Sequence, residues 1–447
     1  MLPILNESFW RDEAFSALLS QHSPLDIIRL TAKDQSPPLY PILLHYWMLL
    51  FGTTETAIRT LSLLFHFGTV IIIFFLIKKL TKSFYASLLT ALAVLLNPFL
   101  LQYAFEARTY SLLAFTIAAA IYFLSLEKFW LAGIFLSLGI LSHNFALFTT
   151  ASIAVWWVYT QKMNVAKNMK KTISLFLFPA IAFFAWGMVI WNQWVRVGHE
   201  FWIKPVTSAI FLETFESFTR GDLNYPARHF LVLVSLMLVF FAASFWIWKK
   251  TKETNHFASL LFFASLGPIV IAYTISALFA PIFFDRYLIA SVPLFISLVA
   301  FSLFRFVKEN PAKQMAIVVF LSCLGAFLLY ASEQVLNSYQ KPAINWAVSQ
   351  VIEKAKPGDV IIPKDVLNYM ETRWYVQESH ANIPVYAYAP TGKIPFYIGS
   401  VLFDPNKIIK VYPTNTTIWE IEPDGGYKML YLPQILPKTP QLSKVKN

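Results

Sequence analysis

Two carboxyl residues stand side by side near the start of the sequence, Asp12 and Glu13 in FWRDEAFSAL, among aromatic and apolar neighbours. A carboxylate within hydrogen-bond reach of a hydroxyl can take its proton and turn it into a nucleophile. Arginines stand at the edges of apolar runs: Arg108 in FEARTY, flanked by Glu106 and Tyr110, and Arg286 in FFDRY, followed by Tyr287, with Arg59 as a third. Guanidinium is always charged and grips phosphate oxygens in a planar fork, so these residues suit an anionic group. Asp34 in KDQSPP and His143 in LSHNF complete the set. Plainer roles stay open at this point. An acid pair in a first helical turn is favoured by the macrodipole, arginine at a span end snorkels to the interface, and a turn histidine satisfies local hydrogen bonds.

The elements that must position these residues are apolar. Of 447 residues, 57% are hydrophobic and 14% charged, against roughly 25% charged in soluble domains. Mean hydropathy is +0.55 and aromatic residues reach 17%, which describes a polytopic membrane protein. Ten candidate spans follow: Ala57–Ile77, Phe84–Leu101, Arg108–Leu126, Phe129–Ser142, Phe145–Thr160, Thr172–Val195, His229–Trp248, His256–Phe284, Tyr287–Phe304 and Gln314–Ala331. Alternate loops are basic, holding Lys78, Lys79 and Lys82, then Lys128, then Lys162, Lys167, Lys170 and Lys171, then Lys249, Lys250 and Lys252, then Arg305, Lys308 and Lys313. By the positive-inside bias these loops are cytoplasmic, both termini lie outside, and the acids and arginines above fall on the outer side. The net charge of +11 is topological and implies no nucleic acid. The single cysteine, Cys323, excludes a disulfide framework and a Cys-based zinc site.

Phe129–Ser142 is too short for a bilayer, since its 14 residues rise about 21 Å against a hydrocarbon core of ~30 Å. The turn at His143-Asn144 is therefore expected below the outer surface, lining protein or a water-filled cleft. Two outer segments, 1–56 and 196–228, carry helical patterns of interfacial type, one after Pro37-Pro38 and one through Ile210, Phe211, Phe215 and Phe218. Beyond residue 331 the composition changes. NWAVSQVIEKA is an amphipathic helix, and GDVIIP, IPVYAYAP, IIKVYP and TTIWEIEP are strand-like with turn punctuation. The expected fold class is an all-α polytopic membrane bundle over 1–331 with a small α/β extracytoplasmic C-terminal domain over 332–447.

Five blocks in order, WRDEAFSALLSQ, DQSPPLYPILLHYWMLLFGTTETAIRTLSLLF, NPFLLQYAFEARTYSLLAF, LSHNFALF and FFDRYLIASVPL, resemble the signature segments of bacterial GT-C membrane glycosyltransferases. The resemblance is to the branch of glycosyltransferase family 39 related to protein O-mannosyltransferases and aminoarabinose transferases. KPAINWAVSQVIEKAKPGDVII resembles the opening of the outer domain in such proteins. The resemblance implies a multi-pass protein of the cell membrane that passes a sugar from a polyprenyl phosphate to an extracytoplasmic protein, lipid or glycan acceptor, with inversion. It implies Asp12 as the base with Glu13 beside it, Arg108, Arg286 and Arg59 as donor-phosphate ligands, and Glu106, Tyr110, His143, Tyr287 and Asp34 as cavity residues. The resemblance implies no particular cofactor. A divalent metal near Asp12-Glu13 is compatible with the resemblance, but no cluster with ligand spacing demands one.

The sequence departs from the family pattern at Ser36, where a histidine often stands, and in the short MLPILNESFWR before the acid pair, where relatives carry a transmembrane helix. A lipid-linked sugar flippase or transporter would share the topology, but the Pro-containing spans form no paired halves of the kind such proteins show.

Overall fold

The computed structural model describes residues 3–161, 165–197, 202–221, 252–308, 329–330, 332–334, 336–337 and 341–433. Two expected spans, His229–Trp248 and Gln314–Ala331, lie outside or almost outside these residues. The chain folds as two units, one comprising Met1–Glu7 and Leu19–Gln340, the other Ser8–Leu18 and Lys341–Asn447. The division by contacts falls between Gln340 and Lys341, near the expected boundary at 331/332, and a short N-terminal segment groups with the C-terminal unit.

The larger unit is helical. Helix α1 (Arg11–Ser20) runs into it, and α2 (Pro24–Lys33), α3 (Leu39–Phe51), α4 (Glu55–Thr81), α5 (Phe84–Leu95), α6 (Pro98–Ala104), α7 (Tyr110–Ser125), α8 (Phe129–Ser142), α9 (Ala146–Thr160), α10 (Met169–Val197), α11 (Ser208–Arg220), α12 (Lys252–Leu278) and α13 (Ser291–Lys308) follow. Among the described residues three helices are long and apolar enough to cross a membrane, those within α4, α10 and α12, and four if the bent pair α5–α6 counts as one span. The expected span Phe84–Leu101 is that pair, bent by 59°. Asn97 and Pro98 cause the break. Proline removes a helical donor and clashes with the preceding turn, and Asn97 accepts from the Leu100 N–H at 3.0 Å as a new N-cap. The Leu95 carbonyl at the break meets His66 Nε2 at 3.3 Å.

The expected span His256–Phe284 ends its helix at Leu278. The chain then runs in an irregular segment whose Ile282 and Phe283 N–H groups both donate to Ser276 Oγ. Large side chains on the outer faces of α4 and α10, such as Ile71, Phe75, Phe184 and Met188, are exposed, as lipid-facing residues should be. Helices α8 and α10 approach closely at Gly133, where an added Cβ would lie 2.6 Å from the Leu175 carbonyl oxygen. Small residues allow such backbone approach between membrane helices.

The smaller unit mixes helix and sheet. Strands β1 (Val360–Pro363), β4 (Thr417–Ile421) and β5 (Tyr427–Tyr431) form a sheet in the order β1-β4-β5, with β1 and β4 parallel and β4 and β5 antiparallel. Strands β2 (Ala387–Tyr388) and β3 (Ile408–Ile409) pair in parallel beside it. Helix α14 (Ile344–Lys354) buries Ile344, Ala347, Val348 and Val351, one face at helical spacing. Helix α15 (Tyr369–Glu378) has no counterpart in the sequence reading, because its apolar residues are diluted by Glu371, Thr372 and Arg373. It packs on the N-terminal segment of the same unit. The Phe9 ring meets the edge of Trp374 at 5.5 Å and stacks on Tyr375 at 6.2 Å, and the Phe9 N–H donates to the Tyr375 hydroxyl at 2.6 Å.

Two outcomes are expected from this packing. Gly133→Ala should destabilise the helical unit by about 1–3 kcal/mol through overpacking, read as a lowered melting temperature in detergent. Glu371 on α15 is only 2% exposed, and burial pushes its carboxyl up to about 8, opposed by hydrogen bonding from Asn368 and by Arg11. The native state therefore holds a proton that the unfolded chain has lost above its ordinary value of 4.5. This group's contribution makes the C-terminal unit less stable as pH rises through that window. Glu371→Gln should flatten this dependence in thermal melts between about pH 5 and pH 9.

Candidate functional site

The irregular segments at one set of helix ends gather the arginines. FEARTY connects α6 to α7, FFDRY lies between α12 and α13, and His143 sits between α8 and α9. The Arg286 guanidinium lies over four rings, those of Phe284 at 4.9 Å, Trp202 at 5.6 Å, Tyr110 at 5.7 Å and Tyr287 at 5.8 Å from their centroids. The Arg108 guanidinium lies 5.8 Å from the same Tyr110 ring, so one tyrosine serves both cations. Arg108 and Tyr110, two apart in sequence, share this contact because the Arg108 N–H turns back to the Glu106 carbonyl at 2.7 Å just before α7 begins. His143 closes the group, with its ring 5.1 Å from Tyr287 and 6.1 Å from Tyr110, and both arginines act on it electrostatically. The predicted Arg108, Arg286, Tyr110, His143 and Tyr287 are thus brought together. Phe284 and Trp202 were not identified from the sequence, although Phe284 adjoins Asp285 and Trp202 lies in the polar-flanked EFWIKP.

The backbone around this group is held by side chains. Thr109 Oγ1 donates to the Ser142 carbonyl at 2.8 Å, tying the start of α7 to the end of α8. Ser62 Oγ donates to the Arg108 carbonyl at 3.2 Å and lies 2.8 Å from the Tyr40 hydroxyl. Glu106 is buried in this turn, at 4% exposure.

Asp34, 7% exposed, caps α2. Its loop is gripped from two sides. Asn144 Nδ2 donates to the Gln35 carbonyl at 3.2 Å and to Gln193 Oε1 at 3.1 Å, and Gln193 Nε2 donates to the Thr31 carbonyl at 3.2 Å. Arg196 adds bonds to the Lys33 and Asp34 carbonyls at 2.6 and 3.3 Å. The corner after His143 and the end of α10 therefore fix the DQSPP loop, through Asn144 of the expected turn and through Gln193 and Arg196, which sequence reading passed over. A buried glutamine near the end of an apolar helix was the available signal.

Arg59 makes a different set of contacts. It is fully buried, and its Nη1 donates to the carbonyls of Ile4, Leu5 and Glu7 at 3.1, 3.0 and 2.8 Å. This guanidinium ties residues 4–7 to α4, which distinguishes it from the two arginines among the rings.

Asp12 and Glu13 belong to the smaller unit. Both lie in the first turn of α1, as the macrodipole favours. Glu13 is fully buried, whereas Asp12 is half-buried. Glu13 Oε2 accepts from the Trp10 N–H at 2.9 Å and from Lys341 Nζ at 2.8 Å, a pair with side chains 0% and 2% exposed. The carboxyl of Glu371 feels Arg11, Asp12 and Glu13. Among the described residues no three His, Cys, Asp or Glu side chains gather as metal ligands.

The sequence pattern of the dolichyl-phosphate-mannose-protein mannosyltransferase family matches residues 35–191. No curated protein matches the sequence. The structure is similar to ArnT from Cupriavidus metallidurans in the apo state, with a TM-score of 0.60 and 11% identity over 94% of this chain and 90% of that one. It is similar also to the same protein bound to undecaprenyl phosphate, with a TM-score of 0.57 and 13% identity over the same shares. The chain thus has an ArnT-like fold, and its segment 35–191 matches the mannosyltransferase family pattern.

Proposed function

We propose that the chain is an integral-membrane glycosyltransferase that moves a sugar from a polyprenyl-phosphate donor to a hydroxyl of an extracytoplasmic acceptor. The observation that carries this reading is the pair of guanidiniums, Arg108 and Arg286, set among aromatic rings and joined through Tyr110. Ring faces stabilise a cation in a poorly hydrated place, and guanidinium N–H groups match phosphate oxygens. That ArnT of similar fold is found with undecaprenyl phosphate supports a lipid phosphate as the anion.

In the proposed step Asp12 accepts the proton of the acceptor hydroxyl while its oxygen bonds to the anomeric carbon. The bond from that carbon to the phosphate oxygen breaks, and its electron pair stays on the lipid phosphate, where Arg108 and Arg286 offset the growing negative charge. Displacement in one step inverts the anomeric centre. His143, Tyr287, Tyr110, Glu106 and Asp34 line the donor region, and Glu13 stands beside the base. Arg59 holds the N-terminal segment instead of the phosphate. Lys171 reaches Glu127 at 3.6 Å, which puts the start of α10 beside the end of α7, on the side of the basic loops. The arginine group lies at the opposite helix ends, in keeping with an outer-leaflet donor.

Sugar transfer should be followed in proteoliposomes holding a panel of polyprenyl-phosphate sugars and envelope acceptors. Asp12→Asn should lower transfer by about 10²–10⁴-fold while leaving undecaprenyl-phosphate binding nearly intact. Arg286→Ala and Arg108→Ala should each cost about 10²–10³-fold, with lysine restoring little because it lacks the fork. Full transfer by the Asp12→Asn protein, or lipid movement across the bilayer without transfer, would overturn the reading.

A further inference from the structure

The two neighbouring acids are not equivalent. Glu13 occupies the third position of α1, and its carboxylate reaches back to the N–H of Trp10, the residue just before the helix. This is the reciprocal half of a capping box, a structural use of a glutamate at this place. The same oxygen receives Lys341 Nζ at 2.8 Å, with both side chains out of contact with solvent. Lys341 opens the C-terminal stretch of the unit, three residues before α14. Asp12 keeps partial exposure, so a substrate can approach it.

We propose that the pair divides its roles, with Asp12 as the reacting carboxylate, Glu13 as its positioning residue and Lys341 as the cation that fixes Glu13. The inference rests on the reading of Asp12 as the base. Asp12 and Glu13 are consecutive on one helix, so the direction of Asp12 follows from how tightly the first turn is held. Two interactions hold that turn through one oxygen, the N–H of Trp10 and the ammonium of Lys341. A further seat lies just before them, where Ser8 Oγ accepts from the Asn345 N–H at 3.2 Å and Phe9 packs on α15. Breaking a buried ion pair from one side leaves a desolvated charge, whereas removing both charges leaves a neutral and much cheaper contact. The two alterations therefore have different consequences for the helix turn.

The test uses full-length protein in proteoliposomes with a polyprenyl-phosphate sugar and compares kcat and KM. Lys341→Met should lower kcat by about 100-fold, the scale of a misplaced catalytic group, and leave KM for the donor within about threefold. Lys341→Arg should retain most of kcat. The double variant Glu13→Gln/Lys341→Met should recover at least about tenfold over Lys341→Met alone, since no buried charge is left unmatched. If the double variant is as inactive as Asp12→Asn while remaining monodisperse, Glu13 itself reacts and the division of roles is wrong. The division is equally wrong if Lys341→Met keeps its kcat. An Asp12→Asn protein that transfers sugar normally overturns the reading of the base instead, so the two failures are distinguishable.

Discussion

The constraint on which the structure depends is the cost of keeping charge away from water. Three of the charged groups show different ways of meeting it. Arg59 is surrounded by backbone carbonyls, which use its N–H groups directly. Glu13 is matched by one ammonium and one backbone N–H. Arg286 is set over four rings. An aromatic face attracts a cation through its quadrupole. That form of stabilisation tolerates a guanidinium among apolar side chains, in keeping with the tyrosine, phenylalanine and tryptophan that gather at this one place.

Helix length supplies the second constraint. Helices α8 and α9 have 14 and 15 residues, fewer than the roughly 20 that a span needs. A chain that turns early exposes carbonyls and N–H groups at a depth where water is scarce, so side chains must replace it. Asn144, Gln193 and Arg196 do so for the loop after α2, and Thr109 does so for the end of α8. Short helices and a polar corner are thus one feature. The corner stabilises the turn and, in doing so, presents His143 to Tyr110 and Tyr287.

This accounts for what could be read from the sequence. Composition, basic loops and apolar runs reveal most helices of the larger unit, because each span is a local property of about 20 residues. Arg108 and Arg286 were conspicuous because charge at the edge of an apolar run is costly, and Tyr110, His143 and Tyr287 were named through the resemblance of their segments. Trp202 and Gln193 were not, since neutral polar and aromatic residues near a membrane interface are common and acquire meaning only through partners far along the chain. The bend between α5 and α6 was hidden in a run that reads as one span, although Asn97-Pro98 marked it. In the smaller unit β5 was missed because YKMLY follows Gly425-Gly426 and reads as a turn exit, and α15 because its buried residues include Glu371 and Thr372.

The placement of α1 with the C-terminal segment is the feature farthest from any local pattern. Residues 8–18 and the stretch from Lys341 onward are separated by the whole larger unit in sequence, yet they share one core through Phe9, Trp374 and Tyr375 and one buried ion pair. Contacts at such separation form late, since the loop between them must close first. Without Lys341, a carboxylate at position 13 is better solvated than buried. The C-terminal segment is thus a structural part of the unit that holds Asp12, and its small sheet belongs to the same frame as Lys341 and α15.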